Sequence, residues 1–325
     1  MNNFSYSRPA TLREAAAQLG NEKAFGRTAI LAGGTDLLGE MKDNLASPER
    51  LVPIRHLKEL QGIRSMNGGL RIGASTLLAD IVESPMVQQQ TPLLAMAAGK
   101  VGTLQIRNMA TIGGNLCQRP RCWYYRNNYP CFKHGGNVCY SATGENEYHA
   151  ILAGGPSYIV HPSDTAPALV ALGATVRIST GGRERSVPIE KFFVSPRQDP
   201  TRENILQANE ILTEIEVPNA PAGSKAVYVK EMVREIWDFA LCSVAAVVTV
   251  QGGIVRDVRI VLGGVAPIPY RAVKAEAALR GQPLTEAAAA AAGVAATDGA
   301  RPLAKNAYKV PLTQAVVKRA LLALA

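Results

Sequence analysis

The chain has 325 residues, 47% of them hydrophobic, enough to bury the cores of two or three domains. Charges or glycines interrupt every apolar stretch before the roughly 18 residues a transmembrane helix needs, so no membrane span is expected. The net charge of +9 comes from scattered Lys and Arg, with no basic run or nucleic-acid motif, and reads as a solvated surface or a docking face.

The first residues, MNNFSYSRPATLREAAAQL, contain neither a basic start followed by an apolar core nor a twin-arginine pair, so self-export is not expected. Thr11 and Glu14 form a capping box for a short helix ending near Leu19, with Gly20 as its stop. Thr28 to Ala32 reads as a buried strand that runs into Gly33, Gly34, Thr35 and Asp36 before an amphipathic segment carrying Leu37, Leu38 and Met41. A strand, a glycine turn and a helix start aim backbone N–H groups at one spot, which suits a pyrophosphate. The pattern is not G-x-G-x-x-G, so it does not support a Rossmann fold. Strands follow at Leu51 to Ile54 and Leu70 to Ala74, the second leading to Ser75 or Thr76 as a helix cap, and Leu93 to Val101 reads as a helix.

The next stretch, Leu104 to Tyr140, is the most informative. Its turn Thr111, Ile112, Gly113, Gly114, Asn115 offers paired glycines whose missing Cβ atoms let backbone N–H groups approach an anion or a flat ring, though a plain tight turn has the same composition. Four of the five cysteines follow at once, Cys117, Cys122, Cys131 and Cys139, spaced C-x4-C-x8-C-x7-C. Four thiolates in one loop suit a closed tetrahedral or cubane metal site in a reducing compartment better than a disulfide framework. Trp123, Tyr124, Tyr125, Tyr129 and Phe132 lie among them and could exclude water; read plainly, these are buried thiols and core aromatics. Cys242, in an apolar run, reads as a buried small hydrophobe.

Ser163 and Asp164 precede an apolar helix from Ala166 to Leu172, where an N-cap is the simplest reading, and a strand spans Thr175 to Ser179. From Ile211 the pattern alternates, and Pro218, Pro221 and Gly223 mark a boundary. Domains are therefore expected at 1–220 and 221–325, with a cysteine-rich insertion at about 117–150. Beyond the boundary, strands near Ala226 to Val229, Ala240 to Val250 and Ile254 to Leu262, the last two joined at Gly252 and Gly253, precede helices at Ala272 to Leu279, Glu286 to Ala296 and Pro311 to Leu324. Strands then helices make an α+β domain.

Six segments in one order, Leu31 to Asp36 with Met41 and Lys42, Ile72 to Thr76, Arg107 to Asn115, Ser163 with Asp164, Lys230 to Ala240, and Gly263 to Ala266, resemble the FAD-binding medium subunit of the molybdenum hydroxylases. That family includes xanthine dehydrogenase, carbon monoxide dehydrogenase and bacterial aldehyde oxidoreductases. The resemblance implies an α+β fold: a p-cresol methylhydroxylase-type FAD-binding domain of two α/β subdomains, followed by a smaller C-terminal α+β domain. It implies FAD contacts from Ile30, Leu31, Ala32, Gly33, Gly34, Thr35, Asp36, Ala74, Thr111, Gly114, Asn115, Asp164, Leu212 and Lys230. Lys230 by itself reads as a surface charge on a strand. The cysteine insertion looks like that of the subset with an extra [4Fe-4S] cluster, as in 4-hydroxybenzoyl-CoA reductase and, closer to this chain, the periplasmic aldehyde oxidoreductase. Cys122, Cys131 and Cys139 match its spacing best, Cys117 is the expected fourth ligand, and His149 or His161 is the substitute.

The implied function is electron transfer in a heterotrimer. Electrons would pass from [2Fe-2S] clusters of a small subunit through FAD to an external acceptor, while substrate is oxidised on a large molybdenum-cofactor subunit. No catalytic side chain is expected in this chain. An aldehyde is the first expected substrate of the complex, an N-heterocycle the second and an aromatic acyl-CoA the third. The compartment would be cytoplasmic, or periplasmic by co-export with a twin-arginine-bearing partner. A stand-alone flavin oxidase and a zinc-stabilised scaffold are the readings from other classes.

Overall fold

The computed structural model describes residues 1–20 and 26–325. Three sheets organise them. A small parallel sheet has the order β1 (Ser5–Tyr6), β3 (Arg50–Pro53), β2 (Thr28–Leu31). A five-stranded antiparallel sheet has the order β4 (Ile63–Met66), β5 (Gly69–Gly73), β8 (Ile211–Pro218), β6 (Thr175–Ser179), β7 (Glu184–Pro188). A four-stranded antiparallel sheet has the order β12 (Tyr270–Arg271), β11 (Ile254–Gly263), β10 (Cys242–Gln251), β9 (Ser224–Glu231). The expected strands at 28–32, 51–54, 70–74, 175–179 and 211–217 all form, because each is a short apolar or alternating run bounded by turn residues.

The capping box also forms. Thr11 Oγ1 accepts from Glu14 N, and Glu14 reaches back to Ala10 N at 2.7 Å rather than to the cap residue itself. Two other local expectations do not hold. Ser75 and Thr76 cap no helix: the next one, Leu78–Glu83, starts after Leu77 without a side-chain cap, and Thr76 Oγ1 donates to Gly62 O instead. The glycines at 113 and 114 do not sit in an open turn but inside a helix, Ile112–Cys117, capped by Thr111, whose Oγ1 accepts from Gly114 N at 3.1 Å.

The larger core lies between the five-stranded sheet and the helices Leu78–Glu83, Pro92–Gly99 and Thr165–Leu172. β10 explains why its sequence reads as one unbroken apolar run. Ala245 and Val247 face that core, whereas Cys242, Val244, Ala246 and Val248 face a second one, built with the helices Val273–Leu279, Glu286–Ala296 and Lys309–Leu322. A strand covered on both faces has no polar side to show. Cys242 is the buried hydrophobe expected of it.

The four-stranded sheet joins the rest through a buried ion pair. Lys230 Nζ on β9 lies 2.7 Å from Asp164 Oδ2, and the side chains are 1% and 6% exposed. Tyr228 Oη donates to Asp164 Oδ1 at 2.9 Å, and Lys230 also donates to Lys100 O at 3.0 Å. Burial raises the Asp164 pKa, against the pull of Lys230 and Tyr228. Lys230 is therefore no surface charge. Removing one partner leaves the other buried and uncompensated, a loss of about 3–5 kcal/mol. Lys230→Met should lower stability by about that amount in denaturant titration, and adding Asp164→Leu should recover part of it. A Lys230→Met protein as stable as wild type would show that the pair does not hold the sheet in place.

Candidate functional site

A cavity of about 690 Å³, well within the range of small-molecule sites, opens between the three sheets' connecting loops. Ile30, Ala32, Gly33, Gly34, Thr35, Asp36, Thr111, Gly114, Asn115 and Asp164 all line it. Leu31, Ala74, Leu212 and Lys230 do not. Leu212 and Ala74 are buried in the core behind the wall, and Lys230 acts one step back, through Asp164.

The two glycine segments do different work. In the first, the N–H groups of Gly33, Gly34, Thr35 and Asp36 donate to no other described residue, and Gly34 takes the left-handed φ of +73°. Unpaired donors in a turn before a helix are the anion cradle that the sequence suggests. Gly33 is needed for a second reason: a Cβ there would meet Met109 O at 2.1 Å, so the two segments touch backbone to backbone. In the second, the N–H groups of Ile112, Gly113, Gly114 and Asn115 are already spent on Thr76 O, Ala74 O, Thr111 Oγ1 and Thr111 O. Its glycines serve closeness instead. A Cβ on Gly113 would meet Ala74 O at 2.8 Å, while one on Gly114 would meet only Thr111 Oγ1, at 3.0 Å, and would otherwise stand in the cavity wall.

Asn115 Oδ1 accepts from Ser163 Oγ at 2.5 Å and Thr165 Oγ1 at 2.7 Å. Ser163, not Asp164, caps the following helix, its Oγ accepting from Ala166 N at 3.1 Å. The carboxylate of Asp164 is thereby left for Lys230 and Tyr228.

Asp36 has partners that no local pattern signals. Its Oδ1 meets Arg121 at 2.8 Å and Arg126 at 2.9 Å, and Oδ2 accepts from Arg119 N at 2.8 Å. Tyr125 Oη donates to Glu40 at 2.7 Å and accepts from Arg119 Nε at 3.0 Å, and Arg119 pairs with Glu203 at 2.9 Å. Lys133 joins Glu203 as well, and both are buried. Burial raises the Glu40 pKa, and burial lowers those of Arg121 and Lys133 against their carboxylate partners. The cysteine stretch is thus clamped to the cavity's first turn. Arg121, Trp237 and Phe239 line the cavity too, with the Arg121 guanidinium 5.1 Å from the Phe239 ring centre.

Of the four cysteines of the stretch, Cys131 is buried and Cys117, Cys122 and Cys139 are partly buried. Cys117 ends its helix in the cavity wall, against the larger core, and burial alone pushes its thiol up to about 12. Cys122 is pushed up to about 11 by burial first; the N–H groups of Tyr125 and Tyr124 pull it down, and Cys139 and Cys131 lie close enough to raise it. The helix that carries Cys117 is capped by Thr111 and packs against the core. His161 also stays with the core, its ring 4.7 Å from Phe193 and its Nδ1 accepting from Ser163 N. His149, by contrast, places Nε2 3.2 Å from Cys122 Sγ. Burial, then the charge of Lys309, lowers the His149 pKa to about 4, so the ring is neutral. Among the described residues, no three His, Cys, Asp or Glu side chains are placed to hold a single metal ion.

Residues 2–220 match the family described as the FAD binding domain in molybdopterin dehydrogenase, and residues 227–324 match the CO dehydrogenase flavoprotein C-terminal domain. The chain is 35% identical to the aldehyde oxidoreductase FAD-binding subunit PaoB of Escherichia coli K12, over 97% of this chain and 96% of that one. It is 33% identical to the carbon monoxide dehydrogenase medium chain of Hydrogenophaga pseudoflava, over 98% and 96%. A solved carbon monoxide dehydrogenase from the same organism superposes with a TM-score of 0.78 at 32% identity, covering 99% of this chain and 97% of that one. The free N–H groups of the first turn, the glycine-thinned wall and the cavity fit a bound FAD, and with these similarities the chain belongs to the FAD-binding medium subunits of the molybdenum hydroxylases, oxidoreductases of several subunits.

Proposed function

We propose that this chain is the electron-transferring FAD subunit of a heterotrimeric molybdenum hydroxylase that oxidises aldehydes, with a large molybdenum-cofactor subunit and a small [2Fe-2S] subunit as partners and an external electron acceptor. The aldehyde assignment is supported by two relatives of that type, PaoB and a glyceraldehyde dehydrogenase medium chain from Sulfolobus acidocaldarius, at 35% and 32% identity. We place the division between the domains at about residue 220, with the cysteine insertion at about 117–150. Its compartment follows that of its partners, cytoplasmic or, by co-export, periplasmic; no helix among the described residues is long and apolar enough to cross a membrane.

The observation that carries the reading is the joining of the cavity to the cysteine stretch by Asp36, Arg121 and Arg126. FAD, when bound, supplies the redox chemistry, and the protein fixes its position and surroundings. The N–H groups of residues 33–36 orient the pyrophosphate, and Arg121 adds positive charge to the same wall. Thr111, Gly114 and Asn115 shape the facing wall, with Ala74 packed behind Gly113. Asp164, held by Lys230 and Tyr228, presents a fixed carboxylate to the cofactor, Leu212 backs the site from the core, and Leu31 ends the strand that runs into the first turn. A [4Fe-4S] cluster would be held by Cys122, Cys131 and Cys139 together with one more ligand. Aromatic pairs lie in the same segment: Tyr124 with Tyr129 and Tyr140 at 5.2 and 5.9 Å, and Trp123 with Tyr148 at 5.9 Å.

An anaerobic visible spectrum of the purified chain, with flavin and iron quantified on the same sample, tests both cofactors. About one FAD and about four irons per chain are expected; protein with neither would sink the proposal. Gly114→Val fills the cavity wall while disturbing only the Thr111 cap, at a cost of about 1 kcal/mol. It should lower FAD occupancy at least about tenfold in a protein that still folds. Undiminished flavin in that variant would move the cofactor away from this wall. Gly33→Ala should lose FAD and stability together, by roughly 1–3 kcal/mol, because its Cβ meets backbone that cannot yield cheaply; a melting temperature unchanged from wild type would contradict that.

A further inference from the structure

We infer that the loop between β9 and β10 binds a prenylated quinone, which makes a quinone with an apolar tail the external acceptor. The inference rests on the electron-transfer reading above and names its oxidant. The loop leaves β9 at Glu231 and reaches β10 at Cys242, and Leu241 N donates to Glu231 O at 2.9 Å where it closes. Arg234, Trp237, Asp238 and Phe239 line the cavity, and Trp237 at 63% and Phe239 at 45% exposure stand at its opening. Val233 and Ile236, 66% and 63% exposed, lie in the same loop outside the cavity. Large apolar side chains left open to solvent beside a ligand cavity mark a place for an apolar ligand.

The loop's own bonds hold this surface in place. Trp237 takes a φ of +57°, a left-handed backbone that a bulky residue rarely adopts. Arg234 Nη2 donates to Trp237 O at 2.9 Å, Arg234 N to Asp238 Oδ2 at 3.1 Å, and Phe239 N to Asp238 Oδ1 at 3.0 Å. The Arg234 guanidinium lies 5.9 Å from the Trp237 ring centre. Charge then selects the ligand. Between Glu231 and Cys242 the loop carries Arg234 against Glu235 and Asp238, so it is net negative, and Arg234 is already bonded within the loop. The anionic pyrophosphate of a nicotinamide dinucleotide gains nothing there. A quinone is neutral and planar: its head stacks on Trp237 beside Phe239, and its isoprenoid tail covers Ile236 and Val233. The redox balance closes. Oxidation of an aldehyde with water on the partner subunit breaks the C–H bond, forms the acid's new C–O bond and releases two electrons and two protons. A quinone takes up both pairs as its carbonyls become the hydroxyls of the hydroquinone.

The test uses the full chain loaded with FAD, in equilibrium dialysis without turnover against ubiquinones carrying one or two isoprene units. The longer tail should bind about tenfold tighter, a fraction of the gain from burying all its added carbons. Ile236→Glu should abolish that difference. Trp237→Gly removes the ring yet suits the left-handed backbone, so the chain should fold and keep its FAD while both quinones bind at least about tenfold more weakly. Trp237→Phe should restore most of the binding. Equal affinity for the two tails, an Ile236→Glu protein that still tells them apart, or undiminished binding by Trp237→Gly overturns the inference. Loss of FAD from Trp237→Gly does so too, because the indole then belongs to the cofactor's own site. Failure of the electron-transfer reading shows separately, as wild-type protein that takes up no FAD or a complex that oxidises no aldehyde with any oxidant, and it removes the acceptor assignment with it.

Discussion

The carboxylate of Asp36 is the constraint on which the rest depends. It belongs to the turn that cradles the cofactor, yet all three groups that bind it, Arg119 N, Arg121 and Arg126, come from the cysteine stretch. Two guanidiniums on one half-buried oxygen are tolerable only with that carboxylate present, because removing it would leave two cations facing each other in a poorly solvated place. Around it Arg119, Arg121, Arg126 and Lys133 outnumber Asp36, Glu40 and Glu203 by one charge. These ion pairs hold the insertion to the cavity wall. Folding the cysteine stretch and preparing the cofactor site are therefore one event.

The sequence makes the strands and the first turn readable, since alternation, buried apolar runs and glycine punctuation are local signals. The same local logic misplaces Ser75 and Thr76, where a hydroxyl before a helix looks like a cap but is drawn to a carbonyl 14 residues away. It also treats the two glycine segments alike, although one has free donors and the other has none. Only the partners reveal that difference: Thr76, Ala74 and Thr111 take up the second segment's N–H groups. Asp36 is the clearest limit. Its partners lie 83 to 90 residues on, and nothing in its neighbourhood predicts them.

Cysteine spacing shows the same limit in a different form. Four thiols within one loop look equivalent in a count, but Cys117 is the last residue of a helix whose start is pinned by Thr111 and whose apolar side joins the core. The chain leaves that helix in extended conformation at Gln118, and the remaining thiols follow in a segment built from short turns and aromatic contacts. Helix position thus separates thiols that spacing treats alike. The backbone that carries His149 is set from the C-terminal domain, by Asn306 and Lys309.

The cavity wall and the cysteine segment are also adjacent in the chain. Arg121 lines the cavity and Cys122 is its neighbour in the chain, so their Cα atoms are about 3.8 Å apart. The cysteine segment therefore continues directly from a residue of the cavity wall. Cys131 and His149 are buried in this segment, and Tyr124 packs against Tyr129 and Tyr140 beside them in the chain. A long insertion placed directly after a cavity-lining helix has to be anchored if that wall is to keep its shape, and Asp36 with its arginines provides the anchor.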